Sequence, residues 1–404
     1  MTSTTSRRTA AVAALVLAAT AGCAAEHPAP ARLPHHQDSE RPGTPSSAGG
    51  SATAGPRPFT LVATGDVLPH SSTIERAASD APGREGYDFR PMLAGVKPVI
   101  SRADLAICHM ETVYGPDGGP FTGYPAFKSP PQVAAALKDT GYDSCSTASN
   151  HSLDDGADGI ARTLRAFDKA GLKHTGSGRT ATESATPALL EAGGAKVAQL
   201  AYTYDTNGYP MPDGQPWAVH LIDEHKILAD ARAARRAGAD VVVVSLHWGT
   251  EWQTEPDEQQ LKLGKALTAS RTGGRPDIDL ILGTHAHIPQ AYEKVNGTWI
   301  VYGEGDQIAG EMFNNSGARD PRGNMSSIAR FTFAPPARAG ARWEVTKAEF
   351  IPQWVDADRG RVVSLPEALR TSPDREDYRA AEAEIREAVL GRGAAGDGLR
   401  MAER

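Results

Sequence analysis

The sequence of 404 residues is poor in several features that would fix its class at once. Aromatic residues make up 6% of it, cysteine occurs three times, and the formal net charge is only −7. Because there is no basic excess, the composition argues against a nucleic-acid-binding protein. Beyond the N-terminus there is no apolar run long enough to cross a bilayer, which excludes a membrane-embedded body. The 41 glycines and 29 prolines indicate a chain with much of its length in turns and loops.

The N-terminus has the pattern of an export signal. Arg7 and Arg8 precede a short apolar stretch over residues 10–19, which leads into Ala21-Gly22-Cys23. A basic start, an apolar centre and a small-residue cleavage site are typical of a secretory signal. Ala-Gly-Cys also resembles a bacterial lipobox, whose cysteine becomes the lipid-bearing first residue. We therefore predict that residues 1–23 are a lipoprotein signal peptide and that Cys23 anchors an extracytoplasmic protein to the cell membrane. Plain secretion is the alternative.

Residues 24–57 are predicted to be a disordered linker. They are rich in proline, glycine, serine and alanine and have no hydrophobic face. Such a segment buries too little apolar surface to offset the entropy lost on ordering.

From residue 58 onward, short apolar runs alternate with helical patterns. This alternation predicts βαβ units around a buried sheet, and hence an α/β protein. Alternating stretches over residues 328–335 and 343–354 predict a C-terminal antiparallel hairpin. Residues 357–404 are predicted to be a charged tail with one helix over residues 374–389 and a frayed end.

Side chains suited to metal binding follow several of the predicted strands. Because ligands in open α/β sheets sit outside the carboxyl ends of strands, we expect these side chains to share a cleft. Oxygen ligands together with imidazoles suit Zn, Mn, Fe and similar divalent ions. A carboxylate between two ions is the arrangement used on phosphate esters. For Asn150 alone, a turn that caps the next helix is the competing interpretation. The residues are Asp66, Glu111, Asn150, His151, His247, His285 and His287.

The order of these motifs resembles the CapA/PgsA family of capsule and poly-γ-glutamate synthesis proteins, in the calcineurin-like metallophosphoesterase superfamily. The resemblance covers roughly residues 58–310 and implies a four-layer α/β/β/α fold, which we extend to a domain over residues 58–356. The motifs are Gly65-Asp66, His109-Met110-Glu111, Asn150-His151 with Asp155-Gly156, His247-Trp248-Gly249-Thr250-Glu251 and Gly283-Thr284-His285-Ala286-His287.

The resemblance implies two divalent ions, with Mn, Zn, Fe and Mg as the candidate metals. The first ion would be held by Glu111, Asn150, His247 and His285. The second would be held by Asp66, Glu111 and His287, so that Glu111 is shared. His151 would protonate the leaving oxygen as a general acid; the alternative is that it only supports Asn150.

Two departures from the family pattern stand out. The first strand lacks the superfamily's Asp-x-His, so that His70, in the following loop, is the candidate replacement. Residues 303–307 read Gly-Glu-Gly-Asp-Gln where the family has Ser-Leu-Gly-Asn-Phe. Glu304 and Asp306 then either crowd an anionic substrate or assist a metal.

Four further residues are weaker candidates. Lys128 and Glu251, like His70, are assigned to substrate binding; for Lys128 the alternative is an ordinary solvated lysine. Cys108 and Cys145 lie at similar depths on consecutive predicted strands. In an oxidising compartment they are a candidate disulfide, and free thiols are the alternative.

The resemblance therefore implies an exported, lipid-anchored protein for capsule or poly-γ-glutamate synthesis with a metallophosphoesterase-like dinuclear site. Its substrate would be an anionic polymer or a phosphoester, and its partner a membrane polymer-synthase complex; no nucleic acid is involved. Two alternatives stay open. One is a general phosphoesterase or nucleotidase of the cell envelope, and the other is a non-catalytic scaffold or polymer-binding subunit of a synthase complex.

Overall fold

A computed structural model describes residues 55–338 and 340–402. The predicted signal peptide, Cys23 and nearly all of the predicted linker lie outside the described residues. The described strands are β1 (Phe59–Val67), β2 (Leu105–Met110), β3 (Ser144–Ser146), β4 (Lys173–Thr175), β5 (Ala188–Ala192), β6 (Ala195–Thr203), β7 (Val241–His247), β8 (Arg271–Thr272), β9 (Arg275–Pro276), β10 (Leu280–Thr284), β11 (Tyr292–Val295), β12 (Thr298–Val301), β13 (Asp306–Ile308), β14 (Met325–Ala334), β15 (Glu344–Asp356), β16 (Arg361–Ser364) and β17 (Leu399–Met401). The described α-helices are α1 (Ser71–Asp80), α2 (Arg90–Leu93), α3 (Lys97–Ile100), α4 (Gln132–Thr140), α5 (Gly156–Ala170), α6 (Ala181–Ala185), α7 (Glu224–Arg236), α8 (Glu258–Ala269), α9 (Leu365–Thr371) and α10 (Glu376–Leu390).

Most of these strands form two mixed sheets. The first has the order β16-β15-β14-β1-β2-β3-β4, with β13 added beside β1 and β17 beside β15. The second has the order β11-β12-β10-β7-β6-β5. In both sheets the central strands are parallel, β1 to β4 in the first and β6, β7, β10 and β12 in the second. Parallel pairing brings the carboxyl ends of these strands to one edge of each sheet.

The apolar residues divide the protein into four layers. On β2, Leu105 and Ile107 belong to the core between the two sheets, whereas Ala106 and Cys108 belong to the core under the helices. This alternation follows from the two-residue period of a strand. Helices α1, α2, α4 and α5 cover the outer face of the first sheet, and α7 and α8 cover that of the second. The predicted α/β/β/α sandwich is confirmed.

The C-terminal part follows the prediction only partly. The hairpin is confirmed as the antiparallel pair β14 and β15. The prediction of a single helix and a frayed end is wrong for the described residues, because β16, α9, α10 and β17 all follow the hairpin. Tyr378, Ala381 and Ile385 of α10 are buried in the core between the sheets, and β17 pairs with β15. Their spacing places these apolar side chains on one face of α10, which packs on the sandwich.

Within the part of the chain that the structure describes, we find no helix with the length and apolar character of a membrane span.

Candidate metal centre

The candidate site lies between the sheets, where strands from both of them end. Asp66 is in β1, Glu111 follows β2, His247 ends β7, and His285 and His287 follow β10. His285 and His287 have φ angles of 94° and 60°, a conformation that non-glycine residues adopt rarely. The sharp path of this loop lets the His285 N–H donate to Oδ2 of Asp66 at 3.0 Å. One hydrogen bond thus ties the end of β10 to β1 across the two sheets.

One set of ligand-type atoms is rich in carboxylates. Asp66, Glu111, His287 and Asp306 each contribute one atom, and these atoms all lie within 4.8 Å of one another. All four side chains are buried. Nδ1 of His287 donates to Oδ1 of Asp306 at 3.0 Å, which orients the ring. The structure therefore brings together the three residues implied for the second ion and adds Asp306 to them.

Glu111 also faces the residues implied for the first ion. Its Oε1 lies 3.9 Å from Nε2 of His247, which is 2.9 Å from Oδ1 of Asn150. The His285 ring stands 4.7 Å from the His247 ring, centroid to centroid. Glu111 is thus placed between the two implied sets. Asp66 also belongs to a second group of closely spaced ligand-type atoms, which it forms with His109 and His247.

Several buried polar atoms in this cluster have no hydrogen-bond partner among the described residues. Buried polar groups in proteins are nearly always hydrogen-bonded, so a concentration of exceptions needs a cause. Carboxylate oxygens and imidazole nitrogens are also the donor set that divalent transition ions and Mg accept. The residues present therefore fit a metal centre. The atoms are Oδ1 of Asp66, both Oε atoms of Glu111, Nδ1 of His285 and Oδ2 of Asp306.

The electrostatics of the cluster favour a cation. Burial, and then the nearby Asp306, raise the pKa of Asp66 to about 8. Burial, and then Asp66, raise the pKa of Glu111 well above its ordinary value. Burial lowers the pKa of both His247 and His285. The buried carboxylates of Asp66 and Glu111 therefore hold protons more tightly than exposed ones do, and a divalent ion would compete with those protons.

His151 sits beside the cluster and is oriented by a carboxylate. Its Nδ1 lies 2.7 Å from Oδ2 of Asp154, so that the ring donates Nδ1–H to this carboxylate and Nε2 is the nitrogen left to face a substrate. The Phe127 ring packs edge-on against the His151 ring at 4.8 Å. The Phe127 N–H also donates to Oδ2 of Asp154, at 2.7 Å. Asp154, rather than the Asp155 of the motif assignment, is the residue that supports His151.

The weaker candidates lie around the site. Lys128 forms an ion pair with Asp155 at 3.1 Å, so its positive charge is already paired with a carboxylate of this chain. Glu251 is at the rim, with a side chain that is 32% exposed and an oxygen 3.9 Å from Nε2 of His287. His70 packs edge-on against Phe127 and does not belong to either closely spaced group of ligand atoms in the described residues. Burial lowers the pKa of His70 to about 4.

Glu304 is buried but does not belong to either group in the described part of the protein. Its Oε1 has no hydrogen-bond partner there, and burial, followed by Asp66, raises its pKa well above the ordinary value. Of the two residues that depart from the family pattern, Asp306 is thus the one whose side chain joins the candidate ligands.

Two further residues near the site were not among the predicted ligands. His109 is buried, and its ring stacks on the His247 ring with the centroids 4.7 Å apart. Asn207 accepts a hydrogen bond from Nδ2 of Asn150 at 3.2 Å. Strand alternation offered a signal for His109, because it is two residues from Glu111 and therefore shares its face. Asn207 lies in a loop whose path no local pattern predicts.

Cys108 and Cys145 are opposite each other on β2 and β3, with Cα atoms 4.4 Å apart, and their sulfur atoms are bonded in the structure. Both belong to the core under the helices. They therefore lie on the opposite face of the sheet from His109 and Glu111, which keeps the sulfur atoms away from the candidate ligands.

The two-sheet sandwich and the buried ligand-type residues at its strand ends define an α/β/β/α protein with a candidate metal centre. Residues 60–311 match the family described as bacterial capsule synthesis protein PGA_cap, and the chain belongs to that family.

The chain is also similar in sequence to capsule and PGA biosynthesis proteins of two Bacillus species. The chain is 28% identical over 180 residues to the capsule biosynthesis protein CapA of Bacillus anthracis, covering 44% of this chain and 42% of the relative. It is 29% identical over 173 residues to the PGA biosynthesis protein CapA of Bacillus subtilis (strain 168), covering 43% and 44%. The matches thus span less than half of each relative. Among solved structures, the calcineurin-like phosphoesterase YfkN from Bacillus subtilis superposes with a TM-score of 0.41 at 13% identity, over 82% of this chain and 99% of that one.

Proposed function

We propose that this protein is a metal-dependent phosphoester hydrolase that serves capsule or poly-γ-glutamate synthesis at the outer face of the cell membrane. In this proposal Cys23 carries the lipid anchor, and the domain works beside a membrane polymer-synthase complex. Its substrate is a phosphoester or an anionic polymer that bears one. Membership of the capsule synthesis family supports the setting.

One observation carries the hydrolase part of the proposal: the strand ends of both sheets bring unpartnered carboxylate and imidazole atoms together inside the protein. Glu111, Asn150, His247 and His285 would hold one ion. Asp66, Glu111, His287 and Asp306 would hold the other. Two bound divalent ions supply Lewis-acid polarisation of a phosphoryl oxygen.

The remaining chemistry belongs to side chains of this chain. As water attacks phosphorus, the bond to the leaving oxygen breaks and that oxygen needs a proton. In its imidazolium form, whose Nδ1–H is donated to Asp154, His151 gives this proton from Nε2. Phe127 and Asp154 hold the ring in place, so that the donor is already oriented when substrate binds.

The test uses the purified protein with Mn²⁺ or Zn²⁺ and a panel of phosphomonoesters and phosphodiesters. We expect phosphate release by the wild type and a loss of about 10²–10⁴-fold in His151→Ala, with unchanged metal content. His225→Ala, which alters an exposed histidine at the start of α7, is the matched control and should keep full activity.

The alternatives give different results. Hydrolysis of nucleotides together with normal surface polymer in a deletion strain would identify a general envelope nucleotidase. Surface polymer restored in that strain by a protein carrying both Asn150→Ala and His151→Ala would identify a scaffold and reject the hydrolase.

A further inference from the structure

His109 is placed opposite Asp66 by the strand register. In the pairing of β1 with β2, Asp66 faces His109, and in the pairing of β2 with β3, His109 faces Ser146. Leu105 and Ile107 of the same strand point into the core between the sheets. The two-residue period of a strand therefore directs His109, like Glu111, toward the candidate metal centre.

The hydrogen bonds of Ser146 define which nitrogen of His109 is free. The Ser146 hydroxyl donates to the carbonyl oxygen of Cys108 at 3.4 Å, and its oxygen lies 2.7 Å from Nδ1 of His109. The 2.7 Å contact occupies Nδ1 whichever atom donates, and in a metal-bound ring Nδ1–H would donate to Oγ. Nε2 then carries a lone pair, and it is buried without a hydrogen-bond partner in the described chain. Metal-bound histidines characteristically donate their other ring N–H in this way.

The free Nε2 points at another unpartnered acceptor. It lies 3.6 Å from Oδ1 of Asp66, which is also buried without a partner within the described residues. This distance is longer than a hydrogen bond, which spans about 2.7–3.2 Å. Two ligands of one tetrahedral ion with bonds of about 2.1 Å stand about 3.4 Å apart. Two facing lone pairs at this separation suit a shared cation.

We propose that His109 is a metal ligand, binding through Nε2 the same divalent ion as Asp66. It thereby supplies the imidazole that the first strand of this chain lacks. This inference rests on the metal centre of the proposed function and adds a ligand to it. His109 fits the place better than His70, which does not belong to either closely spaced group of ligand atoms in the described part of the chain.

His247 is the neighbouring imidazole, and its contacts separate its role from that of His109. Nδ1 of His247 is also 3.6 Å from Oδ1 of Asp66, but it is hydrogen-bonded to Oγ1 of Thr284 at 3.0 Å. Its Nε2 faces Asn150 and Glu111. Both ring nitrogens of His247 thus have neighbours other than Asp66. Nε2 of His109 is the imidazole nitrogen beside Asp66 that has no hydrogen-bond partner among the described residues.

The experiment compares the wild type with His109→Asn, which removes the imidazole and keeps a polar side chain. The control is His220→Asn, another buried histidine, whose Nε2 lies 2.6 Å from Oγ of Ser184. Zinc affinity is measured by competition with a chelator, and bound imidazoles are counted by X-ray absorption of the zinc-loaded protein. We expect His109→Asn to lose about 10–100-fold in affinity for one ion, with one imidazole fewer, while His220→Asn matches the wild type.

Three results would overturn the inference: unchanged affinity, unchanged imidazole count in His109→Asn, or wild-type spectra fitted by His247, His285 and His287 without a further imidazole. The wild-type count needs no variant, so it decides the matter even if His109→Asn does not fold. A wild type that binds two ions without His109 contradicts only this inference. A wild type that binds no ion contradicts the metal centre of the proposed function as well.

Discussion

Oδ2 of Asp154 lies 2.7 Å from Nδ1 of His151 and also accepts the Phe127 N–H. One carboxylate therefore holds both the candidate general acid and the loop that packs against it. Asp155, the next residue, points elsewhere, to Lys128 and Arg162. The pair of adjacent aspartates thus offers a variant and its control side by side.

Asp154→Asn should lower kcat for phosphoester hydrolysis by about 10–100-fold, because a carboxamide holds the imidazole less firmly. Metal content should stay unchanged, since Asp154 does not touch the candidate ligands. Asp155→Asn should keep kcat within about twofold of the wild type. Steady-state kinetics with metal analysis of each variant measures this. Equal losses in both variants would show that the two aspartates act only through the stability of the loop.

The fold and most of the residues that cluster at the strand ends could be predicted from the sequence, because both depend on patterns that a strand carries locally. Asp66, Glu111, His247 and His287 each follow or end an apolar run, and parallel pairing then brings such ends together. Asp306 was visible as a departure from the family pattern, but its role depends on the 3.0 Å contact with His287, which comes from another loop.

What the sequence did not predict depends on long-range register. His109 stands within an apolar run, and only the pairing of β2 with β1 places it opposite Asp66. Asp154 and Asp155 have the same residue type, so only the turn before α5 decides which one meets His151. The strand β17 is short and has no pattern of its own; it exists because β15 offers it an edge.

The metal-free protein should become less stable as the pH rises from about 7 to 8. The folded pKa of Asp66, about 8, exceeds the ordinary 3.8, so over this range the folded state keeps a proton that the unfolded chain has lost. For each such proton, the free energy of unfolding falls by up to about 1.4 kcal/mol for every unit by which the pH rises. His247 and His285, whose pKa values burial lowers, are mostly neutral in both states there and do not mask the trend.

Thermal unfolding in the presence of a chelator at the two pH values checks this expectation. Asp66→Asn should flatten the slope, and added Mn²⁺ should stabilise the wild type more at the higher pH because the ion displaces fewer protons. A chelated wild type that is more stable at pH 8 than at pH 7 would be incompatible with protonated carboxylates in the site.

The disulfide bond between Cys108 and Cys145 should be present in exported protein that has not been exposed to a reductant. Mass mapping without reduction should recover the two cysteines in one linked peptide. The bond joins residues 37 positions apart, so its removal should cost about 3–4 kcal/mol of unfolding free energy. Reductant should lower the midpoint of thermal unfolding of the wild type. It should not change that of a variant carrying both Cys108→Ser and Cys145→Ser. Two free thiols in unreduced material would reject the pairing.

Cys23 should be the site of lipid attachment in the full-length protein. Cys23→Ala should abolish labelling by a fatty-acid probe and leave the signal peptide unprocessed, because the thiol is the atom that is modified. Ala25→Ser, two residues further along, should be labelled like the wild type. Membrane fractionation with the labelling assay measures both. Equal lipid labelling of Cys23→Ala would refute Cys23 as the anchor, and a wild type that carries no label and stays out of the membrane fraction would favour plain secretion.

The metal centre is the central claim, and the metal content of the purified protein tests it most directly. After loading with Mn²⁺ or Zn²⁺ and dialysis, we expect about two ions per chain. Glu111→Gln should lose both, because its carboxylate faces His247 on one side and the Asp66 group on the other. Glu258→Gln, which alters an exposed glutamate at the start of α8, should keep both. A wild type that holds no ion, or a Glu111→Gln variant that holds as many as the wild type, would contradict the account.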